Sequence, residues 1–458
     1  MLATVFNFPD PGGDLYIIGE ATIEFITITE DIAGAFWQIR ESGVITDTFP
    51  KPTTNDVYIH LGNSSHSLSM FGINQGTKTF VGQTRIEMGN QHDSVTLGTF
   101  VEPHAGDFNF DAIANGSNAN HFIGAVSVDL GEDVTSSIVF DDNYLQVANT
   151  DFGGLTGFPL DGSLDVFGSD APDNILISGV RVFGGSINIR SGAGDDSFLI
   201  GHATTPFPLP VQLGGNLIID AGDGADNVTL DSVLSLGNII VEAGKGNDII
   251  HLGSPAEGPG DRSVGSSTQR DIAIYAGDGD DTVFVNQVTT VNSFMLSLGG
   301  GVAGSMANSV KMRNSSFSND SAILGGSAND SLDLDAVNIV TNLFIQTGVG
   351  NDFVDIQGSL ITAGMLTIDS NGGNDAVRID NSNIQTSVLI AGDGDDSITL
   401  TANLIDDLFA DLGNGNDSLH SESTYRRRAF VRGGPGGNLG TGSNFTQGGN
   451  FLSEGFVG

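Results

Sequence analysis

Residues 391–400 read "AGDGDDSITL", and residues 276–285 read "AGDGDDTVFV". Each sets three aspartates among two glycines and runs directly into an apolar alternation. The same ten-residue block recurs as "SGAGDDSFLI" at 191, "AGDGADNVTL" at 221, "AGKGNDIIHL" at 243, "GGSANDSLDL" at 325, "TGVGNDFVDI" at 347, "SNGGNDAVRI" at 370 and "LGNGNDSLHS" at 412. Its sixth place is always Asp: Asp196, Asp226, Asp248, Asp281, Asp330, Asp352, Asp375, Asp396 and Asp417. Successive gaps are 30, 22, 33, 49, 22, 23, 21 and 21 residues, and "AGSMANSVKM" splits the longest one with Asn308 in the Asp place. The unit is therefore about 22 residues. Fainter copies place Asp173, Asp93, Asn120 and His66 in the same slot.

After each turn Asp the apolar residues alternate, as in Val228 and Leu230, Val283 and Val285, or Ile398 and Leu400. A second alternating pair precedes the glycines, as in Ile239 and Val241 or Leu366 and Ile368. Period two is strand periodicity. Three short strands and three turns cannot bury their inner faces alone, so each unit must stack on its neighbours. The expected fold is all-β, a right-handed parallel β-helix solenoid with about 22 residues per coil and an N-terminal β cap. The cap is placed at residues 1–55, which hold "LYIIG", "EFITITE" and "AFWQIRES" with the single Trp37. Repeats follow over 56–420, best defined from 173, and 421–458 is a degenerate terminal repeat or Gly-rich tail.

Bulk composition narrows the function. A net charge of −40 repels nucleic acid and anionic lipid and attracts cations. With 39% hydrophobic residues the chain can still bury a core. The absence of cysteine excludes disulfides, thiolate catalysis and cysteine-ligated metal sites. No stretch approaches the ~18 consecutive apolar residues of a membrane helix. The opening "MLATVFNFPDPGG" carries no visible secretory signal, so export by another route, an incomplete start and retention inside all stay open.

Glycine at the second and fourth places permits positive φ, while Asp and Asn tolerate left-handed geometry and bond nearby amides. Asn247, Asn329, Asn351, Asn374 and Asn416 all precede the turn Asp, and a stacked Asn ladder would satisfy such turns without metal. Stacked carboxylates ~5 Å apart repel by on the order of 3 kcal/mol per pair at an effective dielectric near 20. Backbone amides, raised pKa values or Ca²⁺, which takes six to eight oxygen ligands, would offset that cost.

These blocks resemble the haemolysin-type (RTX-like) calcium-binding repeat, G-G-x-G-x-D-x-U-x, and the chain is also similar to large secreted bacterial parallel β-helix, adhesin-like proteins. The resemblance implies calcium held by the nine turn aspartates, with Asp223, Asp278 and Asp393 between the glycines as further ligands. It covers about half of each coil between roughly 190 and 420, and it departs from the family in having one acidic turn per 21 to 23 residues and a third strand. It further implies a non-catalytic, secreted or surface-exposed, calcium-binding module serving adhesion or a structural role, with a polysaccharide or cell-surface component as partner.

Two alternatives accompany that expectation: a metal-free structural solenoid, and a polysaccharide-active β-helix lyase, hydrolase or epimerase. No catalytic residues stand out. Carboxylate pairs are expected on any Asp-stacked coil, Arg378 is paired with Asp355 one coil earlier, and His251 and His202 read as solvated. No phosphate loop is present, since the glycines precede strands. The insertions beginning "HATTPFPLP" at 202 and "GSPAEGPGDRSVGSSTQR" at 253 leave from one corner, where either binding or simple tolerance of insertion explains them. Arg426 to Arg428 read either as a dock for the acidic tail of a partner or a polyanionic surface or as softening the local charge.

Overall fold

The computed structural model describes residues 162–201, 210–253, 266–300, 308–443 and 451–457, together with separate strand segments between Thr4 and Phe152. These fall into two compact units, whose described residues run to Ile240 in the first and begin at Val241 in the second. Among the described residues each unit is built of β-strands stacked as a parallel β-solenoid, and the chain as a whole makes about 12 turns with roughly 23 residues between them.

One coil of the second unit shows how the sequence builds the fold. After Asp281 comes the strand Thr282–Asn286, then the short strand Thr289–Thr290, then Phe294–Ser297 ahead of the next turn. Each pairs in parallel with the equivalent strand one coil on: Val283 with Val310, Thr290 with Phe317, and Leu296 with Ile323. Alternation then sends Val283, Val285, Phe294 and Leu296 inward, where none is more than 1% exposed. Full burial of side chains of this size stabilises by about 1.5–3 kcal/mol each.

A second corner lies six and seven residues after the turn Asp. Ser232, Gln287, Asn314, Ala336, Asn381 and Ala402 are left-handed there, with φ between 49° and 58°. The residue after it is buried, and where it is Ser or Asn its side chain caps the stack. Ser359 N–H donates to Ser382 Oγ at 3.1 Å, Ser382 N–H to Asn403 Oδ1 at 2.9 Å, and Asn403 N–H to Ser423 Oγ at 3.2 Å. Buried backbone amides thus find partners where the strands bend.

In the first unit, parallel pairing reaches back into residues 1–55. Leu15–Ile18 pairs with Val57–His60, and Glu24–Glu30 with His66–Met70. The same segment holds antiparallel pairs, with Thr4–Asn7 on Leu15–Ile18, Glu24–Glu30 on Phe36–Glu41, and Phe36–Glu41 on Val44–Pro50. Register puts His66, Asp93, Asn143 and Asp173 in one column. Asn120, expected in that column, instead starts a strand of a different row, opposite Lys78 and Thr150.

Candidate metal centre

The stretch 391–400 forms a turn stacked backbone on backbone. Asp393 N–H donates to Asn371 O at 2.8 Å, and Gly394 N–H to Asn414 O at 2.9 Å. Gly392 and Gly394 have φ of 104° and 147°, and a Cβ on either would lie 1.7 Å from a carbonyl oxygen of the preceding coil. Only glycine fits there, so the A-G-x-G frame is explained by close stacking.

Two side-chain rows run through these turns in opposite senses. In the outer row, the residue before the turn Asp donates its N–H to the side chain of the coil before it. Asn351 N–H reaches Asn329 Oδ1 at 2.7 Å, Asn374 reaches Asn351 at 2.7 Å, Asp395 reaches Asn374 at 2.8 Å, and Asn416 reaches Asp395 at 2.8 Å. In the inner row, each turn Asp donates its N–H to the carboxylate of the coil after it. Asp330 reaches Asp352 Oδ1 at 2.8 Å, Asp352 reaches Asp375 at 2.7 Å, Asp375 reaches Asp396 at 2.8 Å, and Asp396 reaches Asp417 at 3.1 Å. Asp248 reaches Asp281 at 3.0 Å by the same geometry, and in the first unit Asp173 reaches Asp196 and Asp196 reaches Asp226.

All nine turn aspartates are buried, at 3% exposure or less, whereas Asp223, Asp278 and Asp393 are exposed. The twelve residues expected as ligands therefore divide into an inner column and an outer fringe. Among the described residues no three acidic or histidine side chains converge on one point, so an ion in the inner column would draw on one or two carboxylates and on backbone oxygens or water.

The inner column holds more acceptors than donors. While Oδ1 takes a neighbour's N–H, the Oδ2 atoms of Asp281, Asp375, Asp396 and Asp417 are buried without a hydrogen-bond partner. Burial pushes these groups upward from the ordinary carboxylate value: Asp281 and Asp375 to about 7, Asp330 and Asp396 to about 6, and Asp196 to about 8. Asp352 and Asp417 are raised by the same cause. Neighbouring carboxylates add to the shift at Asp281, Asp375 and Asp396, and the donated amides oppose it.

In the second unit two of the described coils carry an amide in the slot. Asn308 Oδ1 accepts Asp281 N–H at 2.8 Å, and Asn438 Oδ1 accepts Asp417 N–H at 2.9 Å. Asn438 also shows what surrounds the second side-chain atom. Its Nδ2 donates to the carbonyls of Gly433, Gly434 at 3.1 Å and Gly455 at 3.3 Å. In an Asp coil that atom is an oxygen: at Asp330 it accepts the Gly326 N–H at 3.0 Å, whereas at Asp281, Asp375, Asp396 and Asp417 it has no donor.

Elsewhere several arginines are paired with aspartates on the outer faces. Arg378 lies 3.7 Å from Asp355 and 3.4 Å from Asp380, and Arg313 lies 3.4 Å from Asp333. Arg426, Arg427 and Arg428 reach Asp406 and Asp407 at 3.2–3.3 Å, one coil earlier. His251 is outward as expected but not simply solvated. It stacks on Phe284 with centroids 4.5 Å apart, and burial lowers its pKa. His202 and nearly all of the insertions at 202 and 253 lie outside the described residues.

The inward direction of the turn Asp is implicit in the parity of the repeat. Asp226, Val228 and Leu230 are two residues apart, so the Asp shares the face of the core residues. Comparison with family models finds no match, and comparison with curated proteins finds no relative. The likeness to calcium-binding repeats therefore rests on the turn motif of the sequence alone.

Proposed function

We propose that the protein is a non-catalytic display scaffold, exported or surface-exposed, whose acidic turns are stabilised by calcium. The observation behind this reading is the buried Oδ2 without a donor, repeated at Asp281, Asp375, Asp396 and Asp417. An ionised carboxylate in that position requires a counter-charge. Calcium supplies it and accepts carboxylate and backbone oxygens together. The residues that would hold it are the nine turn aspartates, with Asp223, Asp278 and Asp393 adding negative potential at the rim. A scaffold held in this way suits a calcium-rich exterior and presents its outer faces to a polysaccharide or other cell-surface partner. Calorimetric titration of chelator-stripped protein with calcium tests the reading. Saturable heat, absent with magnesium at the same concentration, is expected; no calcium heat at neutral pH would remove the reading.

A second reading rests on a separate observation: Asn308 and Asn438 make the same inter-coil bond with an uncharged side chain. The ladder therefore works without charge, and neutral, protonated aspartates would let it stand free of metal. The difference is pH. Protonation removes the repulsion below the raised pKa values, whereas calcium acts above them.

A further inference from the structure

The two asparagines interrupt a column that is otherwise carboxylate in the second unit. From Asp248 and Asp281 it passes to Asn308, continues through Asp330, Asp352, Asp375, Asp396 and Asp417, and ends at Asn438. An amide differs from a carboxylate at one atom, and that atom matters here. In Asn438 it is a donor already shared among turn carbonyls. In Asn308 the uncharged Nδ2 is likewise buried without a hydrogen-bond partner, standing where Asp281, Asp375, Asp396 and Asp417 each have an orphaned oxygen. At Asn438 a covalently attached N–H group occupies the place that a cation would take, and at Asn308 the uncharged amide leaves no charge for a cation to balance.

We infer that Asn308 and Asn438 are built-in substitutes for the ion, closing their coils without metal and dividing the inner column into separately loaded segments. This rests on the calcium reading above and adds which coils depend on the ion. Chelation should weaken the steps from Asp330 to Asp417, while the bonds from Asp281 to Asn308 and from Asp417 to Asn438 persist.

Two readouts test it on the full chain. The first is the calcium-dependent gap in melting temperature, measured in calcium and in excess chelator. Asn308→Asp should widen the gap, chiefly by lowering the melt in chelator, and Asp375→Asn should narrow it. The second is residue-resolved amide exchange of the wild type in chelator. The N–H groups of Asp281 and Asp417 should stay protected while those of Asp352 and Asp375 exchange faster than in calcium. If Asp375→Asn narrows the gap but Asn308→Asp leaves it unchanged, or if all four amides lose protection together, the inference fails and the calcium reading stands. If the wild type shows no gap, the calcium reading itself fails.

Discussion

The inner and outer rows of the acidic turns are built from nearly the same residues and behave oppositely. Both lend one side-chain oxygen to a backbone N–H of a neighbouring coil at about the same distance. The outer row faces water, so Asp395 can replace asparagine between Asn374 and Asn416 with no change of bonding. Its spare oxygen is open to solvent. The inner row is sealed, and at Asp281, Asp375, Asp396 and Asp417 the spare oxygen is a desolvated acceptor with nothing to accept from. The same carboxylate is thus a neutral choice at one place and a demand for a proton or cation at the next. Position relative to the backbone, not acidity, decides which aspartates carry the chemistry.

Three substitutions probe this contrast, beginning with the frame that both rows share. Gly394→Ala puts a Cβ 1.7 Å from Gly373 O at φ 147°, so it should destabilise by on the order of 3 kcal/mol, read by urea unfolding in calcium. A loss below 1 kcal/mol would mean that the coils are not stacked as closely as the turns require.

Asp375→Ala leaves the buried Asp352 N–H without its acceptor and should cost about 1–3 kcal/mol in calcium. In chelator the loss should be smaller, because the same change also removes a desolvated carboxylate. Equal losses in the two conditions would separate the inner row from any ion. On the exposed side, Asn374→Ala removes the acceptor of Asp395 N–H, which water can replace, so the expected cost is about 0.5–1 kcal/mol and independent of calcium. A calcium-dependent effect there would move the ion to the fringe of Asp223, Asp278 and Asp393.

Much of this architecture is legible in the sequence because period-two alternation and the turn repeat are both local signals. The core pairs such as Val283 and Val285, and the substitute Asn308, fall where the spacing puts them. Upstream the spacing misleads. Asn120 fits the interval from Asp93, but coil length varies there and the slot belongs to Asn143. The second corner is not legible because its left-handed residue changes identity from coil to coil, through Ser232, Asn314, Ala336 and Ala402, with no shared chemistry to align. Within the acidic turn, residue type identifies the aspartates, while their separation into a sealed column and a wet fringe emerges only from side-chain direction. The amide in Asn438 then reveals the carbonyls that a composition of Asp and Gly conceals.

The most direct measurement is a thermal melt of the full chain in millimolar calcium and in excess chelator, with magnesium as control, repeated from pH 8 to pH 4. Binding to the folded state alone adds ~2.7 kcal/mol per site at a hundredfold excess over Kd, so several sites should raise the melting point by many degrees at neutral pH. The pH dependence in chelator has a definite sign. Because the folded-state pKa values of Asp281, Asp375 and Asp396 are raised above the ordinary 3.8, the folded protein binds more protons than the unfolded chain between 3.8 and about 7. Stability without metal is therefore highest near pH 4 and falls as pH rises through that window. Acid also strips calcium from its ligands, so the two melts should converge by about pH 4 and separate progressively above pH 6. Coincident melts at pH 7 to 8 would contradict calcium in the inner column and leave the acidic turns as a proton-neutralised ladder.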